Sequence, residues 1–153
     1  MSSPQINCTL IPVKRHPSLT EEEFFHHWET VHAPMTAPWA IKHGIDYTLI
    51  KTPRAARQIG KQNTDQSSES GTEYDGYALF GFKTIEQFQV AFSDPYFVNV
   101  VQPDGKKIFD LSGDVTSGAQ FAGVTPIVAN GKAVVKAEKE IKAWEEYESK
   151  SKK

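Results

Sequence analysis

Apolar and polar positions alternate with period two along INCTLIPVK (Ile6–Lys14), which predicts a strand, with Pro12 marking an edge or a bend. The next stretch, LTEEEFFHHWETVHAPM (Leu19–Met35), changes to helical spacing. Thr20 is placed to cap that helix, Glu23 to close a capping box, and Leu19 and Phe24 to form a hydrophobic staple. Pro34 restricts Ala33, so the helix is expected to end or bend sharply near His32. IDYTLIKTP (Ile45–Pro53) reads as a second strand. RQIGKQNTDQSSESGT (Arg57–Thr72) is polar with few apolar residues and predicts a long mobile loop. EYDGYALFGF (Glu73–Phe82) predicts a third strand and TIEQFQVAFSDP (Thr84–Pro95) a second amphipathic helix. A short helix or irregular turn follows around Val98–Phe109, then a fourth strand over AQFAGVTPIV (Ala119–Val128).

The order strand, helix, strand, strand, helix, strand is the ferredoxin-like βαββαβ pattern, an α+β class with an antiparallel sheet and helices on one face. A single helical layer leaves the other sheet face open to a second subunit, so a homodimer is expected. The domain is expected to span residues 1–130. Residues 131–153 form a separate helical tail, on which Val134, Ala137, Ile141 and Trp144 recur at three- and four-residue steps. That narrow stripe is expected to dock, most naturally across a dimer.

Composition narrows the function classes. A chain of 153 residues suits one domain with one core. Its 17 basic and 19 acidic side chains are evenly mixed, and without a clustered positive face no nucleic-acid partner is expected. No apolar run is long enough to span a membrane, and Met1–Thr9 has neither the basic start nor the apolar centre of a signal peptide. Cys8 is the one cysteine. It lies in an apolar run and reads as a small core residue, and an intracellular, cytoplasmic setting follows.

Three of the five histidines fall in the first helix. At about 100° per residue, Phe24, Trp28, Val31 and Met35 share a face, and His32 flanks it. His26 points nearly opposite and His27 lies on the far border, so the three do not converge. Zinc needs three or four ligands on one centre, and helical pairs use i, i+4 spacing; no metal site is expected. His32 remains the candidate for proton chemistry, since burial or a carboxylate can tune an imidazole across neutral pH. The alternative is a core histidine bonded to a free carbonyl of its own helix.

YDGY (Tyr74–Tyr77) supplies further polar groups. Asp75 and Tyr77 share one strand face, with Tyr74 on the other beside Ala78 and Phe80. Tyr47 shares a face with Ile45 and Leu49. An aspartate in an apolar strand needs a partner, and Asp75 either bonds backbone or a basic side chain or orients His32. The tyrosines either pack or bond substrate. No GxSxG, P-loop or dinucleotide fingerprint occurs.

Lys14-Arg15 followed by LTEEEFFHHWETVHAP, with Phe24, Trp28 and His32 at four-residue steps, resembles the EthD-like family of dimeric α+β barrel proteins. YDG (Tyr74–Gly76), DPYF (Asp94–Phe97) and PDGKKIFD (Pro103–Asp110) match its later landmarks. The KRHPSLTEEEF opening and the length are similar to fungal members that tailor aromatic polyketides as dehydratases or decarboxylases. The resemblance implies a lyase or cyclase without metal or organic cofactor, taking a small aromatic polyketide into a pocket between sheet and helices. His32 would be its acid/base and Asp75 the residue orienting it. Tyr47 or Tyr77 would bond an enolate, and Trp28, Phe25 and Phe121 would wall the substrate. Lys14, Arg15 and Arg54 are candidates to place a carboxylate. A non-catalytic binding dimer and a pericyclic or aldol cyclase are the competing readings.

Overall fold

The computed structural model describes residues 5–62, 74–112 and 119–152, and the chain divides into two compact units, Met1–Gly123 and Val124–Lys153. In the first unit, strands β1 (Cys8–Val13), β2 (Asp46–Lys51), β3 (Gly76–Gly81) and β4 (Gln120–Ala122) form one antiparallel sheet in the order β2-β3-β1-β4. This is the expected ferredoxin-like α+β arrangement. The pairing Ile11↔Ala78 and Leu49↔Ala78 puts Tyr47, Leu49, Ala78, Phe80, Ile11 and Val13 on one face, because side chains alternate across a strand. Leu10, Ile50, Tyr77 and Leu79 fall on the other and are only partly buried. The fourth strand is shorter than its apolar run suggested.

Helix α1 (Glu21–His27) begins as its sequence predicts. Thr20 Oγ1 accepts from the Glu23 N–H at 3.1 Å and the Thr20 N–H donates to Glu23 Oε2 at 2.9 Å. It does not end at Pro34. A single π-helical turn, Trp28–His32, carries the chain into α2 (Ala33–His43), with the Ala33 N–H donating to the Trp28 carbonyl. In an unbroken α-helix the ring of Pro34 would clash with the carbonyl four residues earlier. The wider turn relieves that clash and leaves the proline in the first turn of α2, where its missing N–H costs little. The same device recurs. After α4 (Ile85–Ala91), a π turn at Phe97–Val101 precedes α5 (Gln102–Ile108), with Pro103 in its first turn.

The expected loop from Arg57 starts as helix: α3 runs Arg54–Gln62. Alanine, arginine and glutamine are strong helix formers even without an apolar face, and Glu21 Oε2 caps the Arg54 N–H at 2.9 Å. The rest of that loop, residues 63–72, lies outside the described residues.

The core has two clusters. One gathers Trp39, Phe80, Phe82, Phe88 and Ala91; the other gathers Val13, Phe24, Trp28 and Ile108. Gly76 permits the second. A Cβ there would meet the Ile50 carbonyl and the Trp28 ring, so glycine lets the indole lie against the sheet. The second unit holds a hairpin, β5 (Val128–Ala129) and β6 (Lys132–Ala133), whose Asn130-Gly131 turn has φ of 53° and 74°, as such two-residue turns require. It ends in α6 (Glu138–Ser151). Val134 and Ala137 precede that helix, so of the expected stripe only Ile141 and Trp144 lie on it, both exposed.

Candidate active site

Both π turns end at a cavity of about 570 Å³. Its walls come from the sheet (Ile11, Val13, Tyr47, Ala78, Phe80), the α1–α2 segment (His32, Thr36) and the α5 region (Phe97, Val101, Gln102, Lys106, Phe109), and so draw on both core clusters. Apolar side chains dominate, with a few polar groups among them, the usual make-up of a small-molecule pocket.

His32 is the one imidazole on that wall. It is buried, and its Nδ1 lies 2.9 Å from Oδ2 of the equally buried Asp104. Phe109 packs edge-on against its ring at 5.3 Å. An ionised carboxylate only accepts hydrogen bonds, so Nδ1 carries the proton and Nε2 keeps its lone pair. Nε2 has no hydrogen bond among the described residues. Burial pushes the His32 pKa below its ordinary value against the pull of Asp104, which favours the neutral ring. Burial likewise pushes the Asp104 carboxyl up, but its bonds to His32 and His27 prevail and hold it below the usual range.

Asp104 is placed by α5, whose end is tied down by the continuation of β1. His16 N–H donates to the Ile108 carbonyl at 2.6 Å and Asp110 N–H to the Lys14 carbonyl at 2.9 Å. Its signal was present in the sequence. Val101, Asp104 and Ile108 recur at helical spacing and are all buried, so a charge occupies a core position of that stripe. His27 was also missed. Its Nε2 lies 3.1 Å from both Asp104 oxygens, so His27 and His32, five residues apart, do converge. Alpha-helical geometry separates such a pair by about 140°; the π turn between them brings them together. Both nitrogens aim at carboxylate oxygens at hydrogen-bond distance, and among the described residues no three such side chains are arranged to hold a metal.

Asp75 does not orient His32. It accepts from the Arg15 N–H at 2.8 Å and lies 3.8 Å from Arg15 Nε and 3.6 Å from Arg57 Nη1. Strand alternation is the reason, since Asp75 has the parity of Tyr77, opposite the face that carries the helices. Tyr77 lies there too, edge-on to Tyr74. Trp28 is not a cavity wall but wholly buried in the second cluster, with Phe25 packed at its margin. Phe121 is half exposed against Phe82 and Phe88. Tyr47 does line the cavity. Its oxygen accepts from Trp28 Nε1 at 3.2 Å, which leaves the phenol proton for a ligand. Burial pushes its pKa up to about 12, so it stays a donor. None of Lys14, Arg15 and Arg54 reaches the cavity wall, and Lys106 is the lysine that does.

Comparison with known proteins identifies the family. A family model for the EthD domain matches residues 16–112, a span that contains His27, His32, Tyr47 and Asp104. The chain is 30% identical over 130 residues to the dehydratase aurZ of Gibberella zeae, covering 84% of each chain. It is 28% identical over 133 residues to a conidial pigment biosynthesis dehydratase of Metarhizium robertsii, covering 86% of this chain and 92% of that one. The decarboxylase AgnL1 of Paecilomyces divaricatus is 24% identical over 131 residues, with 85% and 86% covered. With the domain model spanning more than half of its length, the chain belongs to the EthD-domain family.

Proposed function

We propose that the protein is a lyase, a dehydratase or decarboxylase, that tailors an aromatic polyketide through acid/base catalysis by His32. The observation that carries this is the buried imidazole on an apolar cavity wall, its Nδ1 held by buried Asp104 and its Nε2 without a partner among the described residues. The relatives, dehydratases and decarboxylases by name, supply the reaction class. The aromatic side chains of the wall suit a flat substrate.

In a dehydration, Nε2 takes the proton from the carbon beside a carbonyl, and Tyr47 donates to the oxygen as it becomes an enolate. The imidazolium, stabilised by Asp104, then returns that proton to the departing hydroxyl, which leaves as water. In a decarboxylation, Nε2 takes the proton of the substrate's carboxylic acid, the same donor stabilises the enolate formed as carbon dioxide departs, and the resulting His32 imidazolium gives that proton to the carbon. Lys106 is the cation on the wall that would pair with the carboxylate. Neither sequence asks for more than a base, an oxygen donor and a dry pocket, so the reading includes no cofactor.

The reading also includes a homodimer in the cytoplasm. Leu10, Ile50, Tyr77 and Leu79 on the sheet face away from the cavity offer the apolar surface that a second copy would cover. Sedimentation giving twice the chain mass supports it; a monomer at micromolar concentration removes it.

The test offers hydroxylated polycyclic β-hydroxy ketones and aryl carboxylic acids to the protein and follows loss of water or carbon dioxide by mass spectrometry. His32→Gln is expected to lower the rate by about 10²- to 10⁴-fold with binding kept. A variant that turns substrate over at the native rate would remove His32 from the chemistry. Binding without turnover by the native protein would favour a carrier.

A further inference from the structure

We propose that His27 is a positioning residue of this site: it clamps the Asp104 carboxylate in the plane that locks His32 in its Nδ1–H form, and its own proton regulates how readily His32 takes up charge. The proposal rests on the reading of His32 as the reactive base and adds a second histidine to it.

The geometry points to a clamp. A carboxylate held by one bond can turn about its side-chain torsions. His27 Nε2 stands 3.1 Å from both Asp104 oxygens, straddling the group, while His32 Nδ1 approaches Oδ2 alone at 2.9 Å. Facing an acceptor-only group, each nitrogen must donate. One carboxylate thus enforces opposite tautomers, Nε2–H on His27 and Nδ1–H on His32. Orientation of a ring by its hydrogen-bond partner is what a reactive histidine needs, and the partner must itself be held.

Burial separates the two ends. The His32 and Asp104 side chains are 8% and 6% exposed, whereas that of His27 is 31% exposed. His27 can therefore exchange protons with water while His32 faces the cavity. The charged groups that act on His32 are Asp104 and His27, and those that act on Asp104 are the two histidines. When His27 is neutral, the whole carboxylate charge favours an imidazolium at His32. When His27 is protonated, its charge opposes that imidazolium across a low-dielectric gap.

The test needs no substrate. In protein labelled with ¹⁵N-histidine, long-range ¹H–¹⁵N spectra report the tautomer and titration of each ring, assigned by single His→Gln variants. The wild-type His32 signals are expected in the Nδ1–H form, with a midpoint lowered by the charge of His27. His27→Gln keeps an amide donor for Asp104 but no charge. It should retain the tautomer and move the His32 midpoint upward. His27→Phe removes the donor; the tautomers should mix and the Nδ1 proton should exchange about tenfold faster. His27→Met replaces Phe if circular dichroism finds that variant unfolded. Unchanged His32 tautomer and exchange in the donor-free variant would overturn the clamp, and an unmoved midpoint in His27→Gln would overturn the charge coupling. Because the spectra are independent of turnover, a catalytically silent His32 is read separately in the rate assay.

Discussion

Two buried aspartates in this protein each hold two basic side chains from the same helical stretch, and only one of them makes a candidate site. Asp104 holds His27 and His32. Asp94, near the far end of α2, accepts from Lys42 Nζ at 2.8 Å, lies 2.7 Å from His43 Nε2, and takes the Tyr96 N–H at 2.9 Å. The difference lies in what each histidine has on its other side and in who carries the charge. His32 lines a cavity, and its carboxylate meets only two imidazoles. His43 lines no part of the cavity, and its carboxylate is already paired with the Lys42 ammonium. A histidine–aspartate pair is therefore no evidence of catalysis by itself; here the second cluster fastens α2 to the turn after α4.

The comparison breaks most sharply at the histidines. His32→Gln is expected to abolish turnover, by about 10²- to 10⁴-fold, whereas His43→Gln should leave kcat within about twofold and lower Tm. Equal losses of rate in both variants would mean that the substitutions act through the fold. The tyrosines beside the clusters come next. Tyr47 has its proton to spare, but Tyr96 already donates its own to the Met35 carbonyl at 2.6 Å. Tyr47→Phe should cost about 10²-fold in kcat, as removal of an oxyanion donor does, and Tyr96→Phe should change only the melting curve. The carboxylates follow. Asp104→Asn should lower kcat by about 10- to 100-fold, the usual loss when the partner of a reactive histidine is changed, and Asp94→Asn should lower Tm with kcat kept. Steady-state rates alongside thermal melts separate every pair.

How much of this was legible depended on whether local rules were allowed to interact. The capping box at Thr20, the strand faces and the ferredoxin-like order follow from short-range patterns, and the structure has them. Strand alternation had also set Asp75 beside Tyr77, away from Ala78 and Phe80, so the same rule that placed the strand already denied Asp75 to His32. Asp104 was legible as a charge on an apolar helical stripe, but only once α5 was known to be a helix. His27 was beyond an α-helical wheel, which has no place for a π turn. Pro34, read as a stop or a sharp bend, was its sign, and Pro103 repeats it. The cavity arises from contacts between segments far apart in sequence, which no periodicity encodes.

The smallest expected effect separates the two clusters by pH. Burial pushes His32 below its ordinary value of 6.5 despite the pull of Asp104, so the unfolded chain takes up that proton first. Its contribution to stability is whole above about pH 6.5 and drains away as pH falls through the lower folded value. The hydrogen bond from Lys42, followed by those from His43 and the Tyr96 N–H, holds Asp94 well below the usual carboxylate range. Its contribution is whole above about pH 4 and is lost only as pH falls through that depressed value; Asp104, also lowered, adds to the same range. Melting temperature against pH should therefore descend in two stages. His32→Gln should flatten the stage that begins near neutrality and leave the acid stage, and Asp94→Asn should weaken the acid stage and leave the upper one. If His32→Gln kept the native slope between about pH 7 and 5, the imidazole would not be held neutral by burial. The acid limb of kcat should likewise fall below about pH 6.5, since the base in the cavity must be neutral to act.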